Sequence, residues 1–485
     1  MNWEVLFPLI LFFIVILGVG IWSSNSRMKN KHVFLNEYFL GSREIGGFVL
    51  AMTMMATYGS ASSFIGGPGV AYSKGLGWVL LSMAQLPAGY FVLMVLGKKF
   101  SIMARKYEAI TLNDFLKARY RSKTVGIIGA LSIIIFLFSA MAAQWVGGAR
   151  LIESITGISY NSALFIFAFA VLVYVVIGGF RAVAVTDAIQ GSIMFFGTIL
   201  LLIATVIAGG GVGNIMADLA KENPKLVTPF GSEGELTPQY VSSFWILVGV
   251  GVIALPQVTV RAMSYKNAKA MHRAIIYSTI FVGFIMFGMH LIGVFARSIV
   301  PGIEVGDKVM PTIAMEVLPP LLAGLVLTAP MAAIMSTVDS LLILVSSAVV
   351  KDVYMSFINP NVTERKIKQV SLWITAILGM IVFIMSLSPP SFLIWLNLFS
   401  FGGLESAFIW PVVFGLYWKG GNKYGAIASM IVGVGSYILF HTFNLNAFGM
   451  HTVVMPILLS LVFYVVVSLI FGKNEKKARL QLKEM

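Results

Sequence analysis

Apolar residues in this chain gather in long unbroken stretches rather than alternating or marking one helical face. Runs of about 20 such residues are the length a helix needs to cross a bilayer. Thirteen are predicted: Leu6–Trp22, Ile45–Gly69, Leu76–Leu96, Val125–Val146, Tyr160–Ile177, Ala188–Ala208, Val241–Val260, Ala274–Phe295, Leu321–Val350, Val370–Leu387, Leu393–Trp418, Tyr424–Phe440 and Val453–Phe471. Pro319-Pro320 sets off a short interfacial helix, Pro311–Leu318, before the ninth run. The polar stretch Gly209–Tyr240 is too small for a core of its own and is expected to hold a short helix and a gate.

Two runs carry helix breakers in their interior. The second contains Gly59 among small hydroxyl residues and then Gly66-Gly67-Pro68; the seventh reads Gly249-Val-Gly-Val-Ile-Ala-Leu-Pro256. A lipid-exposed helix must satisfy its own backbone, so such breaks persist where protein or a water-filled cavity lines them. The two runs lie five apart and start on opposite sides of the membrane. Runs two to six and seven to eleven therefore form two five-helix groups of opposite orientation, each opening on an interrupted helix. That is the arrangement of an inverted-repeat secondary transporter, with its site at the two breaks.

Composition narrows the class to an all-α polytopic membrane protein. Of 485 residues, 58% are hydrophobic and 11% charged, against about 25% charged in a soluble domain; a soluble enzyme and a disordered chain are both excluded. The net charge of +14, from 34 basic and 20 acidic residues, would suggest nucleic acid in a soluble protein. Sorted by run, it is a topology signal instead. Only Lys74, Arg150, Lys221, Lys225, Arg297 and Lys308 fall on one side, leaving 28 of the 34 on the other, as the positive-inside rule requires of cytoplasmic loops. The expected protein is multi-pass in the cell (inner) membrane, with its N-terminus outside and its C-terminus cytoplasmic. The first run lacks a basic leader and reads as a retained helix. The whole is expected to be one integral-membrane unit: a peripheral first helix and loop (1–44), two five-helix repeats (45–208 and 241–418), two peripheral helices (424–472) and a cytoplasmic tail (473–485).

Charges are costly at mid-membrane, so each acid there needs a reason. Asp187 opens the sixth run and reads equally as a helix N-cap or a cation ligand. Asp339 lies with Ser336, Thr337 and Ser340 in the ninth run, a cluster of oxygens suited to a hard monovalent cation. Glu405 is a third intramembrane acid, without a nameable partner. Gln85, Gln144 and Gln257 suit helix–helix contacts or ligand binding, and His290 a buried helix contact. Cysteine is absent, which excludes disulfides and thiolate chemistry. With no phosphate-binding Gly-x-x-x-x-Gly-Lys-Ser/Thr, the chain is not expected to be an enzyme or to hydrolyse ATP by itself. The sequon at Asn361 falls on the inner side, where it is not expected to be modified.

Several long runs resemble the sodium:solute symporter family, and within it the members that carry pantothenate: Asn36–Arg43, Ala56–Gly69, Gly147–Leu151, Pro330–Thr337, and Ile394–Asn397 with Phe401–Glu405. The resemblance spans nearly the whole chain. It implies the leucine-transporter-type 5+5 inverted repeat and sodium-coupled symport by alternating access. Na+ would be the coupling ion, without an organic cofactor. Carried over, the common sodium site would use the carbonyls of Ala56, Gly59 and Ala333 and the hydroxyls of Ser336 and Thr337. A second sodium site, present in some relatives, would draw on Asp187, Asp339 and Ser340, although Asp339 stands where the resemblance calls for Asn. Substrate would touch Thr57, Tyr58, Ser60, Ser62, Ser63, Gln85, Gln144 and Gln257. The implied partner is pantothenate or a similar small carboxylate, which a half-helix starting near Ser60 would meet with its N–H groups. Proline, a monocarboxylate or sialic acid as substrate, and a channel or sensor on the same scaffold, are the alternatives.

Overall fold

In a computed structural model of the chain, described over residues 3–24, 45–359 and 362–481, eight helices are long and apolar enough to cross a bilayer. Two bent pairs, Gly47–Tyr58 with Ser62–Lys74 and Pro238–Ala254 with Pro256–Met263, are broken spans. Three shorter apolar helices, Trp3–Ile16, Tyr160–Leu172 and Gln369–Met385, complete a set that coincides with the thirteen predicted runs. Side chains are described throughout except at 17, 20–24, 173–185, 357, 364, 365, 368 and 473–481. The motif Asn36–Arg43, the sequon residue Asn361 and the tail side chains lie outside the described residues.

Burial orders these helices from centre to rim. The most apolar stretch of Pro320–Ser356 is 94% buried, against 33% in Thr186–Ala208, Lys423–Thr442 and Val454–Gly472. The ninth run is thus the central pillar. Large apolar side chains remain on the outside, including Phe165, Phe169, Phe196 and Ile207. In water such a surface would aggregate; in a bilayer it is the solvent-matched face.

Two predictions need correction. The turn expected between the fifth and sixth runs is helical: Tyr160–Ala208 is hydrogen-bonded as one helix through Gly178-Gly179. Glycine lowers helix propensity but retains both backbone hydrogen-bonding groups, so it does not by itself end a helix. Consequently Asp187 is not an N-cap, because no helix begins there. The seventh run also extends further than expected, to Met263, which moves Arg261 from the predicted loop into the protein interior, where it is 1% exposed. The interfacial helix is present at Val309–Val317, and the Gly209–Tyr240 connection holds the helix Val212–Glu222.

The broken spans run antiparallel. Ile45, before the first, pairs with the end of the second: its N–H donates to the Ser264 carbonyl (3.2 Å) and its carbonyl accepts from the Lys266 N–H (3.0 Å). At the opposite end of the first, Lys74 forms an ion pair with Glu235, three residues before the second begins. The start of each broken span therefore adjoins the end of the other, as an inverted repeat demands.

Candidate functional site

The first break is made by Gly59, whose extended ψ of 117° stops the helix after Tyr58; the chain then turns by 65° into Ser62–Lys74. A helix end leaves its last carbonyls without i+4 donors. The carbonyls of Ala56 and Gly59 are met here by the central pillar. Ser336 Oγ lies 3.0 Å from the Ala56 carbonyl and 3.1 Å from that of Ala333. Thr337 Oγ1 lies 2.9 Å from the Gly59 carbonyl and 2.9 Å from that of Ala333. All five oxygens that the sequence assigns to a sodium site thus converge, across up to 280 residues of chain. Ser336 and Thr337 are 1% and 6% exposed. Each hydroxyl carries one hydrogen, so two donors face three carbonyls. A hard cation seated among them would satisfy every oxygen at once.

Of the residues assigned to substrate, Thr57, Tyr58, Ser60, Ser62, Ser63 and Gln144 meet at the same break, whereas Gln85 and Gln257 belong with the second broken span. Thr57 Oγ1 donates to the Thr53 carbonyl (2.7 Å), the helical back-bond common for this residue type. Ser63 Oγ donates to the Tyr58 carbonyl (3.1 Å). Gln144 is fully engaged: its Oε1 accepts from the Ala61 N–H (2.8 Å) and its Nε2 donates to the Ala140 carbonyl (3.2 Å). It therefore caps the second half-helix and ties the break to the Lys123–Thr156 helix. Tyr58, Ser60 and Ser62 are buried, and the Tyr58 and Ser62 hydroxyls have no hydrogen-bond partner among the described residues. Gln85 is half-buried in the short 3₁₀ turn Met83–Gln85. Gln257, beside the second break, is buried with its Oε1 unpartnered.

The residues assigned to a second cation meet a cation that the protein itself provides. Asp187 Oδ2 accepts from Thr53 Oγ1 (2.6 Å) and faces Arg261 Nη2 at 3.5 Å. The same guanidinium donates to Ser340 Oγ (2.7 Å) and to the Gln257 carbonyl (2.8 Å). Arg261 thereby links three spans, and a sodium ion beside Asp187 and Ser340 would share the position with a fixed positive charge. Asp339 is buried in the pillar one residue before Ser340. The hydropathy boundary hid Arg261, yet the break contained a signal. A span interrupted at Leu255-Pro256 needs a further half-helix to reach the surface, and that half includes residue 261.

His290 packs as expected for a helix contact: a Cβ on Gly67 would clash with its Nε2, so glycine in the first broken span is what admits the ring. Asp307, which the sequence did not single out, is buried in a turn packed against the Ser62–Lys74 half of that span and accepts from the Leu393 N–H (3.2 Å).

Comparison with known proteins agrees with this geometry. The model of the Sodium:solute symporter family matches residues 38–433. A sodium/pantothenate symporter of Haemophilus influenzae is 46% identical over 99% of both chains. One from Escherichia coli is 48% identical over 96% of both. A solved structure of a Na+-coupled sialic acid symporter shares the fold, with a TM-score of 0.77 over 98% of each chain at 18% identity.

Proposed function

This chain belongs to the sodium:solute symporter family, and from that premise we propose that it carries pantothenate across the membrane together with sodium. The convergence of five neutral oxygens on the first break is the observation that carries the sodium half of this reading. The near full-length likeness to sodium/pantothenate symporters supports the substrate half.

In this reading Na+ is cargo. It replaces the hydroxyl-to-carbonyl hydrogen bonds of Ser336 and Thr337 and draws the first broken span against the central pillar. Substrate occupies the space between the breaks, beside Tyr58, Ser60, Ser62 and Gln257. Release of the ion returns the hydroxyls to their carbonyl partners and frees the broken span to rock. The sidedness of the basic residues supports a cytoplasmic C-terminus and cytoplasmic loops for most of them.

The energetics suit import. A tenfold sodium gradient supplies about 1.4 kcal/mol per ion, and a membrane potential of 100 mV about 2.3 kcal/mol per net charge moved. One sodium with one monovalent anion moves no net charge, so the concentration gradient alone would drive it.

Reconstitution tests the reading directly. Labelled pantothenate should accumulate in proteoliposomes when an inward sodium gradient is imposed, and should not when potassium replaces sodium. Accumulation independent of sodium overturns the coupling. Sodium-driven uptake of proline or another carboxylate in place of pantothenate overturns the substrate.

A further inference from the structure

Glu405 lies halfway along the Ile394–Tyr417 helix and is wholly buried. Neither of its carboxyl oxygens has a hydrogen-bond partner among the described residues. Its position is set by the second broken span. A Cβ on Gly251 would clash with Oε2, so the carboxyl group rests on the backbone four residues before the Leu255 break, at a point where only glycine leaves room for it. Tyr58, which ends the first half-helix at the other break, is within electrostatic reach, and its buried hydroxyl is likewise unpartnered. An acceptor beside one break and a hydroxyl beside the other therefore lie near each other, each without a hydrogen-bond partner among the described residues.

Buried polar groups in proteins are nearly always hydrogen-bonded, and an exception points to a partner that comes and goes. A carboxyl group offers acceptor lone pairs in either protonation state, so its natural visitor is a solute rich in O–H and N–H donors. Pantothenate is such a solute, with hydroxyls at one end, an amide N–H in the middle and a carboxylate at the other end. We propose that Glu405 is the acceptor that recognises the hydroxyl-bearing end of the substrate. This rests on the pantothenate reading above. The substrate carboxylate is left to the first break, where Ser62 Oγ is buried and has no hydrogen-bond partner among the described residues.

The test uses the full-length protein in proteoliposomes with two ligands, pantothenate and its analogue without hydroxyls, N-(3,3-dimethylbutanoyl)-β-alanine, each as a competitor of labelled pantothenate. The wild type should prefer pantothenate by roughly 10- to 100-fold, because the analogue leaves a buried acceptor without a donor. Glu405→Ala should compress that preference to within about threefold, with the isosteric Glu405→Gln between the two. The sodium concentration for half-maximal uptake should not move. If Glu405→Ala fails to fold, the Gln variant carries the comparison. A preference that survives intact in the folded variants, or an equal loss for both ligands, overturns the assignment. So does a pH dependence of uptake that Glu405→Gln abolishes while the preference stays, because that outcome marks a proton carrier. A wild type that takes up no pantothenate overturns the substrate reading and this inference with it. Uptake without discrimination between the two ligands overturns the inference alone.

Discussion

The two breaks solve one backbone problem with different chemistry. At the first, the carbonyls of Ala56 and Gly59 are met by the neutral hydroxyls of Ser336 and Thr337. At the second, ionisable side chains gather: Arg261 reaches Asp187 and Ser340, and Glu405 lies against Gly251. The difference separates a site that can cycle from one that must persist. Neutral dipoles can exchange a hydrogen bond for an ion at little cost, because neither arrangement strands a charge. A buried guanidinium–carboxylate pair cannot be opened on each turnover without exposing two desolvated charges, a loss of several kcal/mol.

The sharpest way to break this contrast is to remove one half of the charged pair. Arg261→Ala or Asp187→Asn should destabilise the protein by about 3–5 kcal/mol, since each strands its partner in the interior. The yield of folded protein and the unfolding temperature in detergent measure this. Replacing both, as Arg261→Met with Asp187→Leu, should recover most of the loss. Single variants as stable as the wild type would mean that the pair contributes nothing to holding the second break.

At the first break the effect should fall on sodium rather than on folding. Sodium at 100 times its dissociation constant should stabilise the wild type by about 2.7 kcal/mol. Ser336→Ala with Thr337→Ala should abolish most of that increment and raise the sodium needed for half-maximal uptake by roughly tenfold or more, from the loss of two oxygen ligands. Unchanged sodium dependence would remove both residues from the site.

The smallest effect concerns what packs against the Ser62–Lys74 half of the first broken span. Burial raises the Asp307 carboxyl to about 7, opposed by the Leu393 N–H and by Arg150. Because its folded value exceeds the unfolded one, its contribution to stability is full below about pH 4 and is lost as pH rises through about 7. Asp307→Asn should flatten the dependence of unfolding temperature on pH between 5 and 8. A slope unaltered by the substitution would assign it to another group.

Much of this architecture was legible in the order of residues. Apolar runs of bilayer length and the sidedness of Lys and Arg respond to the membrane as solvent, a constraint that acts on each segment separately. Gly59 and the Leu255-Pro256 step betray the breaks for the same local reason. The candidate sodium-site oxygens were legible because Ser336 and Thr337 are neighbours within a recognisable run, and their carbonyl partners sit at a recognisable break. The continuous helix through Gly178-Gly179 escaped because glycine only weakens a helix; whether it ends one depends on neighbours.

The sequence by itself thus determined the membrane-spanning segments, where two of them break and which oxygens are available to an ion. Only the tertiary structure decided the pairings. Thr53 finds Asp187 across 134 residues, and Arg261 finds Ser340 across 79; Glu405 reaches Gly251 from another helix. Hydropathy reports the cost of placing one side chain in lipid, and a charge near a span end looks cheap wherever it can reach water. Whether it turns inward to a partner depends on the packing of other helices, a distance that no local pattern encodes.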